Sequence, residues 1–400
     1  MMYDRTLNTP ETEIAARIGA LQQALRRRSL DAALILQKAD LYYYSATIQQ
    51  AHLLVPVEGE PVLMVNKVLR RARLESPLSR VVALESPKKI PQTLKDQGLP
   101  MPKRLGLELD VLPTNLYLML SSVFTGAKPT DISGDIRLLR SVKSPYEIDL
   151  IREAARYSDR LAAAVPELVR EGMTEIELAG RVEAEARRMG HQGIVRMRLW
   201  GSELFFGHLL AGPSGGVPSY LASPTGGSGV SPAVAQGSGF RRIRRHEPIL
   251  VDYVFAYRGY VSDHARIFSI GALPEELSQA HDAMLDLQKQ IMQMATPGTA
   301  SGAVYDFALE QAERSGYGRH FMGVGAERIR FVGHGVGLEL DEFPFLNAGQ
   351  RLELQAGMVI ALEPKLVFPG KGAVGIENTH LVTAGGLEPL GRFPDEVCVV

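Results

Sequence analysis

The sequence predicts an α+β protein of two domains, a small α/β domain followed by a larger one made of repeated helix-helix-strand halves. Three observations carry this. At 400 residues the chain exceeds what one ordinary hydrophobic core serves. Residues 1–135 alternate helical and strand-like apolar patterns, and a second regime over 136–400 twice shows two helices followed by strand-like runs.

The first helix is announced by Thr9 as a cap, Pro10 in the first turn, and Ile14, Ile18, Leu21 and Leu25 at helical spacing. Short apolar runs follow at Asp31-Ala-Ala-Leu-Ile-Leu and Pro61-Val-Leu-Met-Val, with a turn at Glu58-Gly-Glu between candidate strands. Thr130-Asp-Ile-Ser-Gly-Asp reads as a linker. Ser144-Pro-Tyr-Glu147 then supplies a cap, a proline at the first helical position and a glutamate at the third, so a helix is expected to about Arg170. Thr174-Glu-Ile-Glu177 repeats the capping spacing and opens a helix to about Met189. A strand pair is expected near 249–270, helices from Pro274 and from Ser301, and strands at Met358-Val-Ile-Ala-Leu-Glu and Gly375-Ile-Glu-Asn-Thr-His-Leu-Val.

Composition narrows the function. Hydrophobic residues make up 45% and charged residues 22%, which excludes wholesale disorder. Forty-four Lys and Arg against forty-five Asp and Glu leave a net charge of −1, so neither a nucleic-acid binder nor a polybasic membrane module is expected. The single cysteine, Cys398, excludes an internal disulfide and a cysteine-built metal site, and fits a reducing compartment. The N-terminal MMYDRTLNTPETE is too polar for a signal-peptide core, and no apolar run reaches the roughly eighteen residues of a membrane span. A soluble, cytoplasmic protein is expected. The glycine-rich, nearly uncharged segment from Gly212 to Gly239 reads either as a surface loop or as a loop lining an active site, and lacks the Lys-Ser/Thr ending of a phosphate cradle.

The chemistry lies in acids placed where burial is costly. Asp252 follows Pro248-Ile-Leu-Val, Asp263 precedes Ala265-Arg-Ile-Phe, Glu363 ends Met358-Val-Ile-Ala-Leu, and Glu377 sits in Val374-Gly-Ile-Glu. Carboxylates in apolar strands require pairing, hydrogen bonds or a cation. His334, between glycines that allow close approach to the backbone, is the fifth candidate. One imidazole and four carboxylates carry −4, which two divalent cations balance, with Mn, Co, Zn and Fe all chemically possible.

These residues resemble the creatinase, prolidase and aminopeptidase P group, which includes the methionine aminopeptidases and has the two-part pita-bread fold. Leu30-Asp-Ala-Ala-Leu-Ile and Gly59-Glu-Pro-Val-Leu-Met are similar to that group's N-terminal domain, and Leu138-Leu-Arg-Ser-Val-Lys-Ser-Pro-Tyr-Glu-Ile to the entry of its catalytic domain. The ligand pattern is matched at Asp252, at Gly259-Tyr-Val-Ser-Asp263 with Arg266, at Gly333-His-Gly-Val-Gly, at Leu362-Glu-Pro and at Gly375-Ile-Glu-Asn-Thr. The resemblance implies that Asp252 binds one metal, that His334 and Glu363 bind the other, and that Asp263 and Glu377 bridge them. It also implies that Glu363 takes the proton of the bridging water and that the ions stabilise the oxyanion formed at a carbonyl. The implied substrate is a short peptide or small amide, with Xaa-Pro peptidase activity first, and a homodimer is expected.

The surrounding residues depart from that pattern. The group's upstream Pro-His pair corresponds to Pro218-Ser219, its second histidine to Asp341, and the arginine of proline-specific members to Gly375. These departures favour neutral or basic substrates over a free carboxylate. They also keep open a small non-peptide amide hydrolase, a lyase, or an inactive fold used for binding. His208 is the candidate that compensates for the missing imidazoles, so the expected catalytic residues are Glu363, His208, Asp341, Ser219 and Arg266. His264 and His380 fall on the strand faces opposite their neighbouring ligands and are expected to be structural.

Overall fold

The computed structural model describes residues 7–204 and 206–400, and the chain divides into two units, Met1–Arg140 and Ser141–Val400. In the first unit, α1 (Glu11–Arg27) buries Ile14, Ile18, Leu21 and Leu25 as their spacing predicts. Its cap differs from expectation: Pro10 stands at the N-cap with no side-chain hydrogen bond, and the Thr9 hydroxyl turns to the Tyr42 hydroxyl instead. The chain continues through β1 (Ala32–Ile35), α2 (Lys38–Ser45), β2 (Ala51–Pro56), β3 (Val62–Val65), α3 (Leu69–Glu75), β4 (Val81–Ala83), α4 (Ile90–Asp96), β5 (Arg104–Leu107), α5 (Thr114–Val123) and β6 (Lys128–Asp131). The sheet order is β4-β3-β2-β1-β5-β6, antiparallel between β1, β2 and β3 and parallel at the other pairs. β1, β2 and β3 are buried at every position, which is why the β1 and β3 segments read as continuous apolar runs instead of alternating ones. The segment expected as a linker is structured: Thr130 and Asp131 finish β6 and Ser133 starts α6 (Ser133–Ser141), with Asp131 Oδ1 accepting from the Ser133 N–H.

The second unit opens with α7 (Pro145–Leu168) and α8 (Glu175–Arg188), each closed by the reciprocal capping box read from Ser144–Glu147 and Thr174–Glu177. These helices cover β7 (Gly207–Ala211), β8 (Ile249–Tyr257) and β9 (Tyr260–Ser269), with Val165, Leu178 and Val182 in one cluster with Val251, Phe255 and Phe268. The arrangement then repeats. α9 (Glu275–Met294) and α10 (Ser301–Arg314) pack on β10 (Phe331–Gly335), β11 (Glu342–Asn347) and β12 (Val359–Leu362), with Met284, Ile291 and Val304 against Val332, Ile360 and Leu362. β13 (Lys365–Phe368) pairs with β14 (Gly372–Gly375), β15 (Asn378–Thr383) and β16 (Gly386–Pro389) extend the β12 sheet, and β17 (Cys398–Val399) joins β9. A bridge between Ala265 and Glu377 joins the two halves, the Ala265 N–H donating to Glu377 O at 3.1 Å. Among the described residues no helix is long and apolar enough to cross a membrane.

Candidate metal centre

Strand registers bring the five sequence-nominated ligands together. In the β8–β9 hairpin Asp263 opposes Val254, which shares a strand face with Asp252, so both aspartates point the same way. In the other half His334 opposes Ala361, and Ala361 opposes Thr379. Glu363 and Glu377 lie two residues from Ala361 and Thr379, which puts them on the face of His334. The Ala265–Glu377 bridge then sets the two faces against one cavity of about 550 Å³, whose wall includes all five residues. Apolar groups such as Met197, Leu204, Val254 and Phe331 dominate the rest of that wall.

Gly333 and Gly335 serve the fold and not a ligand. A Cβ at Gly333 would lie 2.3 Å from Ala361 O, and one at Gly335 2.2 Å from Phe343 O, so these positions admit no side chain between the paired strands. Around His334 the geometry asks for a cation. His334 Nδ1 lies 3.2 Å from Gly335 O, and since a carbonyl only accepts, Nδ1 carries the hydrogen there. Nε2 then turns a lone pair toward Asp263 Oδ2 and Glu363 Oε1, each 3.8 Å away, a spacing that two atoms ligating one first-row ion adopt. Among the described residues, no hydrogen-bond partner reaches the buried Asp263 Oδ1. Asp263, His334 and Glu377 each offer one ligand atom within 4.8 Å of the others, an O, N, O donor set that fits a divalent metal ion. Burial and the charge of Asp252 raise the Asp263 pKa to about 7, and burial, with Asp263 and Glu363, pushes Glu377 well above the usual carboxylate range.

Lys365 is the residue that the sequence reading missed. Its ammonium donates to Glu377 Oε2 at 2.5 Å, Glu363 Oε2 at 2.8 Å and Asp252 Oδ2 at 2.9 Å, and its side chain is 1% exposed. Burial opposes its charge, but the three carboxylates outweigh burial and hold its pKa well above that of a free lysine. One signal was available, since residues 363 and 365 share a face if the strand continues. The structure adds that Gly375, the position without the expected arginine, pairs with Lys365 across β13 and β14. A Cβ at Gly375 would lie 2.4 Å from Pro364 O, 2.7 Å from Lys365 Cα and 3.2 Å from Lys365 Cγ, on a backbone at φ +141°. The paired backbone excludes a side chain at 375, and the lysine stem passes beside that position.

The expected catalytic residues divide. Glu363 lies in the cluster. His208, opposite Asp252 in the β7–β8 ladder, lines the cavity. Its Nε2 lies 3.1 Å from Gln236 Oε1, which only accepts, so Nε2 carries the hydrogen and Nδ1 faces the Thr225 hydroxyl. The glycine-rich segment thus meets the site, with Leu221, Ala222 and Ser223 in the wall and Thr225 and Gln236 behind His208. Ser219 takes another role: its Oγ accepts the Leu221 N–H at 3.2 Å, at the edge of that wall. Asp341 reaches the cavity with both oxygens engaged, accepting from the backbone N–H groups of Arg198 (2.7 Å) and Leu199 (2.8 Å). Arg266 does not reach the reacting centre. Its buried guanidinium donates to Glu377 O, Asn378 Oδ1, Phe393 O and Pro394 O, and so positions the strand that carries Glu377. His264 and His380 are buried away from the cavity, burial lowering the pKa of both, with His380 at about 4. Arg328 and Arg330, not singled out in the sequence, also line the cavity.

The chain matches the model of metallopeptidase family M24 over residues 149–384 and that of the creatinase/prolidase N-terminal domain over residues 17–142. It is 27% identical over 386 residues to the Xaa-Pro dipeptidase of Pyrococcus furiosus, covering 95% of this chain and 99% of that protein. The solved Xaa-Pro dipeptidase of Bacillus anthracis superposes with a TM-score of 0.82 at 22% identity, over 97% of this chain and 100% of the other, which shows the shared fold. The prolidase from Pyrococcus furiosus gives a TM-score of 0.76 at 25% identity, over 93% and 99% of the two chains.

Proposed function

The chain belongs to metallopeptidase family M24, a metal-dependent hydrolase of that family with its creatinase/prolidase N-terminal domain, and we propose that it hydrolyses the amide bond of a short peptide of the Xaa-Pro type. The observation that carries this is the convergence of Asp263, His334, Glu363 and Glu377 on one wall of a largely apolar cavity, where a carbonyl can meet both a cation and a base. A divalent ion held by Asp263, His334 and Glu377 supplies Lewis acidity toward the carbonyl and makes a nearby water more acidic. Glu363 holds one oxygen on Lys365 and presents the other toward His334, which suits it to take the proton from attacking water and return it to the leaving amine. His208, with both ring nitrogens engaged by Gln236 and Thr225, shapes the cavity wall and holds the glycine-rich segment against it.

Substrate charge is where this reading departs from the one drawn from sequence. Gly375 and Asp341 suggested that a free carboxylate would be disfavoured. Both oxygens of Asp341 are occupied by backbone N–H groups, and Arg328 and Arg330 bring positive charge to the same wall. This arrangement favours an Xaa-Pro dipeptide over its amidated or basic analogue. The test compares kcat/KM on Ala-Pro, Ala-Pro amide and a lysine-containing analogue with manganese present. Preference for Ala-Pro supports the reading, and no cleavage of any of them under full metal loading removes it. A second reading, a hydrolase or lyase acting on a small non-peptide amide at the same site, draws on Ser219 and Asp341 standing where the resembling peptidases carry histidines. A cytoplasmic homodimer remains part of the proposal, and light scattering checks the oligomer.

A further inference from the structure

We propose that Lys365 takes the place of one of the two metal ions that the ligand pattern implies, so that this protein binds a single divalent ion, held by Asp263, His334 and Glu377. The inference rests on the metallohydrolase reading and refines its metal content. Asp252 is the side chain that the pattern assigns to the first ion alone, and here Asp252 Oδ2 accepts from the Lys365 ammonium at 2.9 Å. Glu377, assigned to both ions, and Glu363 complete a triangle of carboxylate oxygens 2.5–2.9 Å from Nζ. A first-row ion sits about 2.0–2.3 Å from such oxygens, so the first ion, bound through Asp252 Oδ2 and Glu377 Oε2, would crowd the nitrogen that already bridges them. The ammonium is covalently attached and fully enclosed, and it cannot leave the triangle without stranding three carboxylates.

Charge leads to the same count. With all four carboxyls ionised, as ligation by a metal requires, Asp252, Asp263, Glu363 and Glu377 sum to −4, Lys365 brings this to −3, and one divalent ion leaves −1. A second divalent ion would turn the cluster to +1 while pressing against a fixed cation. The two sides of the cluster also differ in what they lack. The oxygens facing Lys365 have their donor, whereas Asp263 Oδ1 has none among the described residues and His334 Nε2 looks onto carboxylates. Gly375 completes the arrangement: without a side chain it lets β14 pair closely with the backbone that carries Lys365, whose Cγ lies 3.2 Å from where a Cβ at 375 would stand. Lys365 is therefore a positioning residue: it holds Glu363 by one oxygen and leaves the other toward His334.

The test is metal stoichiometry, measured by equilibrium dialysis against manganese and, separately, zinc, followed by elemental analysis of the full chain. The expected result is one ion per chain for the wild type and for Asp252→Asn, none for His334→Ala, and two for Lys365→Gly with Asp252 intact. Circular dichroism establishes that each variant is folded. If Lys365→Gly does not fold, the wild type, Asp252→Asn and His334→Ala carry the test alone. Two ions in the wild type, or loss of the ion in Asp252→Asn, overturns the proposal while leaving a metallohydrolase in place. Zero ions in the wild type at saturating metal overturns both. One ion with no peptide cleaved leaves the single-ion site standing and removes only the substrate assignment.

Discussion

Asp252 and His334 stand on opposite sides of one carboxylate cluster, and the protein satisfies the two sides in different ways. On the Asp252 side, three oxygens close on a lysine that the chain itself supplies. On the His334 side, the imidazole Nε2 faces Asp263 Oδ2 and Glu363 Oε1 at 3.8 Å, and the other Asp263 oxygen, Oδ1, finds no hydrogen-bond partner among the described residues. A buried ion cluster is stable when each charge meets an opposite charge and its hydrogen bonds are complete. By that measure the first side is finished within the polypeptide, and the second is built to receive something from outside. The lesson is that a full set of ligand-type residues does not fix a metal count, because one basic residue can stand in for an ion.

The largest expected effect tests the division of labour at Glu363, which touches both sides. Glu363→Gln should lower kcat by about 10²–10⁴, the ordinary cost of losing a general base, with the metal content of the wild type retained. Near-normal turnover at normal metal content would remove Glu363 from proton transfer. Next comes Lys365→Met, which keeps the stem and deletes the charge. Three buried carboxylates lose their cation, so unfolding in the presence of a chelator should show a loss of about 3–5 kcal/mol. A change below about 1 kcal/mol would mean that the Asp252 side is not held by the lysine.

These two expectations mark what could be read from the sequence. Asp252, Asp263, His334, Glu363 and Glu377 were legible because each is a polar residue in an apolar run, and strand alternation then fixes which face it takes. The helix starts at Ser144 and Thr174 were legible because a capping box is local. Lys365 was hidden by its type: a lone lysine ordinarily reads as a solvated surface group, and only the pairing of β13 with β14 shows that nothing opposite covers its path. Asp341 and Arg266 read as site residues because they lie beside ligand motifs. Their actual partners, Arg198 and Leu199 for one and Phe393 and Pro394 for the other, are more than a hundred residues away, and no local pattern announces such contacts.

Smaller effects sharpen the contrast from the cavity side. Arg328→Ala should reduce kcat/KM for Ala-Pro about 10–100-fold, the range for one hydrogen bond to a charged group, and leave Ala-Pro amide nearly unchanged. An equal loss on both peptides would place Arg328 in the fold and not in carboxylate recognition. Asp341→Asn keeps one acceptor oxygen where two backbone N–H groups need two, so KM should rise a few-fold while kcat holds. A fall in kcat with constant KM would return Asp341 to the chemistry.

The smallest effect concerns a histidine that needs no cation. His191 is buried against Phe206, with Nε2 3.0 Å from Val254 O, and burial lowers its pKa to about 4. The unfolded chain takes up a proton near pH 6.5 and the folded chain only near 4, so this contribution is complete above about pH 6.5 and is lost as pH falls toward 4. Urea unfolding of the wild type and His191→Gln across that window should show a shallower decline in the variant. Parallel declines would assign the acid sensitivity elsewhere.

The account's central claim, that one side of the cluster is filled by the chain and the other by a metal ion, is tested most directly by anomalous diffraction from a crystal soaked in manganese. A single anomalous peak between Asp263, His334 and Glu377, with Lys365 Nζ still among Asp252, Glu363 and Glu377, is the predicted result. Two peaks a few ångströms apart, with the lysine driven out of the carboxylate triangle, would contradict it.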